Sequence, residues 1–295
     1  MRGIVSVTKA TALEILSEPL TLLVLLAALT MTVLAPAFHY HQFGEATRMA
    51  RDAGFSALFT CGSVVAVFGT IRAFRREVES GTMQMALSHP ISRGGFFVAK
   101  VVGAFVAYLA FATTVFGTSL AIVEGARVGG AIAARTGDIA RLSGPFLAAG
   151  VAVMLAPLLL GAVLNRFARF RFVLTALVAA FSLALAAGTV SSVLDPALLP
   201  RYAPVAILLL PPALVLLVVS AAFAVRFRAN AAAAAAGIVA ALCLPTVGNY
   251  YMSDALSRGG TVSWGYVAFA ALAALPAVIA FALLGLRFIG GRDVT

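Results

Sequence analysis

Eight stretches of this chain, 19–44, 53–71, 101–123, 142–164, 172–194, 202–225, 229–253 and 259–286, contain no Asp, Glu, Lys or Arg. A bilayer hydrocarbon core about 30 Å thick needs roughly 20 helical residues to cross it. Every run is near or above that length. The runs are rich in Leu, Ala, Val and Phe without strict alternation, so they predict helices and do not fit a β-barrel. Composition agrees, with 62% hydrophobic and 11% charged residues, against about 25% charged in a soluble domain. Disorder, a coiled coil and a secreted disulfide scaffold are excluded. Cys61 and Cys243 lie in apolar runs and read as small hydrophobes. The first run is too long for a cleaved signal peptide and lacks a basic flank, so it reads as a retained span. The expected fold is an all-α polytopic membrane protein with eight transmembrane helices. Six spans plus a re-entrant pair within 172–253 is the alternative.

The basic residues set the orientation. With the N-terminus in the cytoplasm, eight spans return the C-terminus there. The inside segments then carry fourteen Lys and Arg and five acids, and the outside segments seven and six. Net charge is +9 inside and +1 outside, as the positive-inside rule requires. The formal +10 of the chain is thereby explained as anchoring in the cell (inner) membrane, with no nucleic-acid partner. Each charge is expected in a loop or at a span end. Charges kept at membrane depth for ion coupling cost about 2.5–3.5 kcal/mol each, and none is expected, which argues against coupling to a proton or sodium gradient.

Other chemistry is sparse. The sequence has no HExxH zinc motif, no GxSxG nucleophile elbow and no GxxxxGK[ST] phosphate loop. Ser6 to Lys9 spells S-x-x-K by chance. His39 and His41 form an H-x-H pair that could offer two metal ligands on one face, but with Phe38, Tyr40 and Phe43 they read better as an interfacial cluster. Pro157, Pro211, Pro212, Pro245 and Pro276 are packing kinks or hinges. The Ala231–Ala236 run allows close helix approach.

The longest polar inside stretch, 72–100, carries the most information. The charged run 72–79 continues the second span into water. Gly81 breaks that helix, and Thr82 can cap a new one. Met83, Met85, Ala86 and Leu87 give a short helix with an apolar face, which Pro90 ends. Ser92 then caps the helix that enters the membrane past Lys100.

Glu77-Val-Glu79-Ser-Gly81-Thr82, then Leu87-Ser-His-Pro90-Ile91-Ser92-Arg93 and Lys100, resembles the signature of ABC-2 type transporter permeases. In that family the pattern is approximately E-x-E-x-G-T, an amphipathic stretch, L-x-x-P-[VI]-S-R, then G-K. Residues 4–18 are similar to the family's amphipathic elbow helix. The C-terminal stretch Arg287-Phe288 to Arg292-Asp293-Val294 is similar to its F-x-R-R-D-[LIV] end, with Gly291 at a usually basic position. The residues 125–260 show no motif that aligns. The resemblance leans to the branch that includes nitrous-oxide reductase maturation and gliding-motility permeases, whose members usually have six spans.

The resemblance implies one transmembrane domain over 1–295, with an elbow helix at 1–18 and a cytoplasmic coupling segment at 72–100. It implies docking on a separate ATPase, which would supply ATP and Mg, with no cofactor in this chain. Met83, Met85 and Leu87 would give an adaptable apolar anchor. Glu77, Glu79 and Arg93 could pair with charges on the ATPase, while Gly81, Thr82 and Pro90 shape the bends. Two ATPase copies and a second permease copy, identical or related, would complete an exporter. The rivals are an ABC-2-like permease that passes ATPase motion to an envelope partner without carrying cargo, and an intramembrane lipid enzyme, which would need a polar cluster at membrane depth. Asn165 to Arg171 reads as an anionic-lipid anchor or a second ATPase contact. The outside loop 124–144 reads as a solvated cap or a periplasmic contact. Asn249, Tyr250, Tyr251 and Trp264 read as an interfacial belt.

Overall fold

A computed structural model describes residues 2–34, 46–79, 92–136, 140–227 and 262–290. Among them there is no strand. Helix α1 spans Arg2–Leu16 and α2 spans Pro19–Leu34, with a 60° bend at the break between them. Pro19 opens α2, where its missing N–H costs nothing. The Glu18 carbonyl accepts the Thr21 and Leu22 N–H groups there. Helix α3, Ala46–Val64, passes into a π turn, Val65–Gly69, and then into α4, Thr70–Glu79. Then follow α5 (Arg93–Thr136), α6 (Ala140–Ala168), α7 (Phe172–Leu194), α8 (Leu198–Leu208), α9 (Leu210–Arg226) and α10 (Trp264–Gly290). Pro211 and Pro212 fall in the first turn of α9, where helical N–H groups lack partners in any case. Pro204 and Pro276 lie inside α8 and α10.

Five stretches are long and apolar enough to cross a membrane: Thr47–Arg76, Arg93–Gly129, Phe172–Leu194, Leu198–Arg226 and Trp264–Ile289. The bent α1–α2 pair makes a sixth when taken as one broken span. Seven of the eight charge-free runs overlap described helices. The run 229–253, with Ala231–Ala236 and Pro245, lies outside the described residues. Many of the hydroxyls inside these helices are satisfied locally, although the buried Thr70 and Ser220 hydroxyls have no hydrogen-bond partner. Thr30, Thr32, Thr114, Thr118, Ser119, Ser191 and Ser192 each donate to the carbonyl four residues earlier. Back-bonding of this kind satisfies a hydroxyl donor inside an apolar helix.

The chain divides into two compact units. One takes Met1–Ile15, Ser63–Leu109 and Pro204–Thr295, and the other Leu16–Gly62 and Ala110–Ala203. In the first, α9 is the most enclosed helix and packs on α4, the π turn and α10. Phe223 stacks on Phe227 at 5.5 Å and meets Phe281 at 6.4 Å, while Phe227 meets Phe288 edge-on at 6.5 Å. Helix α10 otherwise shows its apolar side chains outward: 6% of its apolar window is buried. Water would not tolerate so large an apolar face, whereas lipid does.

In the second unit α6 and α7 form a hairpin, and α2 packs on both. The hairpin closes tightly where Gly161 faces Ala176. A Cβ on Gly117 of α5 would stand 2.5 Å from the Ala184 carbonyl of α7, and one on Gly188 would stand 3.0 Å from Gly117 itself. This crossing therefore depends on backbone-to-backbone contact. Phe55 packs against Phe116 and Tyr202 at 6.3 and 6.2 Å.

Candidate coupling site

The site is built on the two helices that flank residues 80–91. On the near side α4 ends at Glu79. On the far side Ser92 starts α5, as its hydroxyl accepts the Gly95 N–H at 3.1 Å and its carbonyl accepts the Phe96 N–H at 3.0 Å. The first turns of α5 bury Phe96, Phe97, Ala99 and Lys100, and α4 buries Ile71, Ala73 and Phe74. Phe74 and Phe97 meet at 5.5 Å across the two helices. The Gly285 position of α10 has no room for a Cβ beside the Phe97 ring.

Lys100 is the centre of this packing. It is 0% exposed. Its Nζ donates to the Ala73 carbonyl at 2.6 Å and lies 5.5 Å from the Phe74 ring and 5.6 Å from the Phe96 ring. A buried ammonium persists only where hydrogen bonds and polarisable groups replace its water. Because Ala73 and Lys100 stand on opposite sides of residues 80–91, this one contact closes the stem from which that segment emerges.

Helix α1 reaches both sides of the stem. Thr8 Oγ1 donates to the Ala99 carbonyl at 3.2 Å, and Gly103 gives α1 its seat, since a Cβ there would lie 2.6 Å from the Thr8 carbonyl. On the other side Glu14 pairs with Arg76 at 3.5 Å, and Ile15 packs over Gly69 of the π turn. Neither Thr8 nor Gly103 stands out in the sequence.

The expected site residues are placed as follows. Glu77 and Glu79 occupy the last turn of α4. Arg93 opens α5 and is exposed. Gly81, Thr82, Met83, Met85, Leu87 and Pro90 lie outside the described residues, as do His39 and His41 and the C-terminal Arg292, Asp293 and Val294.

Two expectations are corrected. Charges are not confined to loops: Lys100, Glu124 and Arg51 are buried within helices, at 0, 4 and 7% exposure. The helix begun at Ser92 runs through Lys100 as expected, and it continues through Glu124 as well, because a charge ends a charge-free run without ending the helix. For the same reason Glu124 and Arg127 are not part of a solvated loop. They lie on α5, where Arg127 holds the Glu124 carboxylate by two hydrogen bonds of 2.8 and 2.6 Å. Arg127 Nε is also 3.7 Å from Asp195, which follows α7. Arg51 is held by Asp52 at 2.8 Å.

The described helices define the class: this is a multi-pass helical membrane protein. A family model described as ABC-2 family transporter protein matches residues 27–288. The chain belongs to that family and is a membrane subunit of transporter type, distinct from the ATPase with which such permeases work. No curated protein and no solved structure matches the chain.

Proposed function

We propose that this chain is the permease subunit of an ATP-driven exporter in the cell membrane, moved by a separate ATPase that docks on residues 80–93. Two permease copies and two ATPases form the complex, with both permease termini in the cytoplasm. The observation that supports docking at this point is the Lys100–Ala73 contact, which ties together the two helices carrying the segment. A docking segment on a loose stem would absorb an applied push. A segment held by a buried lysine, by ring packing and by α1 on both sides would pass the push into α4 and α5, as a two-state mechanism requires.

In this account Glu79 fixes the register of the ATPase against the segment. Glu79→Ala is expected to weaken recovery of the ATPase with tagged permease about tenfold, equivalent to an anchor worth about 1.4 kcal/mol. ATP hydrolysis in liposomes should then proceed without dependence on the permease. Unchanged recovery and unchanged permease-dependent hydrolysis would place the docking surface elsewhere.

A further inference from the structure

The connection between α6 and α7 is three residues long, and together with the last turn of α6 it carries an unusual density of cations and exposed rings. Arg166, Arg169 and Arg171 are all exposed, and Phe167 and Phe170 are 83 and 58% exposed. No Asp or Glu occurs between Asp138 and Asp195. The turn has a defined shape. Arg169 has φ 56°, in the left-handed region that long side chains rarely enter. Asn165 Nδ2 donates to the Phe170 carbonyl at 2.7 Å, and the Phe170 N–H donates to the Leu164 carbonyl at 3.4 Å. Thr175 then ties the start of α7 to the Arg171 carbonyl.

The apolar surface of the hairpin runs right up to this turn. Leu159, Leu160 and Val163 on α6 and Val178 on α7 are each 47–63% exposed. Such faces need hydrocarbon around them. Val163 is only about 4.5 Å along the helix from Arg166, so the arginines stand at the edge of that hydrocarbon. A tip this short cannot project far from the bilayer toward a soluble partner.

We propose that the turn 165–172 binds the headgroups of anionic phospholipids. The guanidinium groups pair with lipid phosphates, which suit their planar donor fork. Phe167 and Phe170 enter the acyl boundary, and the arginine stems lie along the apolar surface with their heads at the headgroup level. The site pins the α6–α7 hairpin to one leaflet, which is the anionic cytoplasmic one in the positive-inside orientation. This inference does not depend on the coupling segment.

The test uses the full-length chain purified in detergent, titrated with phosphatidylglycerol or phosphatidylcholine, with bound lipid counted by native mass spectrometry. The wild type is expected to retain phosphatidylglycerol in preference to phosphatidylcholine. That preference should fall roughly fivefold for each arginine removed in Arg166→Gln, Arg169→Asn and Arg171→Gln. Asparagine at 169 tolerates the left-handed backbone, so the turn is kept. If the triple variant fails to fold, Arg166→Gln alone carries the test, because that residue is helical. Equal retention of the two lipids by the wild type, or an unchanged preference in the variants, overturns the proposal. So does a variant that loses its ATPase while keeping its lipid preference, because the turn would then be a protein contact.

Discussion

Lys100 and Glu124 stand on the same helix, and both are buried, but they are held in different ways. Lys100, in one compact unit, reaches across to a carbonyl of α4 and lies against rings from two segments. Glu124, in the other, is held by Arg127 one turn along its own helix, with Asp195 at the edge of the group. The first arrangement joins parts of the chain that are distant in sequence. The second neutralises a charge mainly within its own helix turn, with one longer contact, of 3.7 Å, from Arg127 to Asp195. Burial alone therefore does not identify a charge that organises the fold, whereas a buried hydrogen bond to another helix does.

That contrast is broken most strongly by reversing the charge at Lys100. Lys100→Glu points a carboxylate at a carbonyl in a dry site and is expected to cost at least about 3 kcal/mol, read as loss of monodisperse protein in detergent. Lys100→Met keeps the side-chain volume and leaves Ala73 its helical hydrogen bond, so it should fold. If Lys100→Glu unfolds no more readily than Lys100→Met, the stem does not depend on this charge.

A smaller effect tests what holds the other unit. If backbone approach rather than charge organises it, Gly117→Leu should cost roughly 1–3 kcal/mol by overpacking the Ala184 and Gly188 crossing. Gly265, with nothing within 4 Å of its Cβ position, is the control: Gly265→Ala should leave thermal unfolding unchanged. The smallest effect belongs to Asp195→Asn. Its 3.7 Å contact is to a half-exposed guanidinium, and such pairs contribute little. A marked loss of stability in this variant would show that the cluster spans more of the chain than the contrast allows.

The sequence made some of this legible and hid the rest for physical reasons. Charge-free runs located the helices, because a membrane helix must be apolar over a span, and Ser92 was readable as a cap from its place before Arg93. The start of α5 was readable from the Ser92 cap, but its far end was not. The charge-free run stops at Glu124, while its pairing with Arg127 lets the helix continue beyond it. The π turn at Val65–Gly69 leaves no mark in an apolar run, and the neighbours it packs against, Ile15 of α1 and helix α9, are distant in sequence. The seat of α1 on Gly103 was hidden for the same reason: a glycine in an apolar helix becomes informative only when the neighbour it admits is known.

If an ATPase engages the permease at residues 80–93, removing that segment should release it. The most direct measurement compares tagged wild type with a chain lacking 82–90, both purified from native membranes, for recovery of an ATPase bearing a Walker motif. The ATPase is expected to accompany the wild type and to be lost from the deletion, while the deleted chain still inserts and remains monodisperse. Equal recovery of the ATPase with both chains would contradict it.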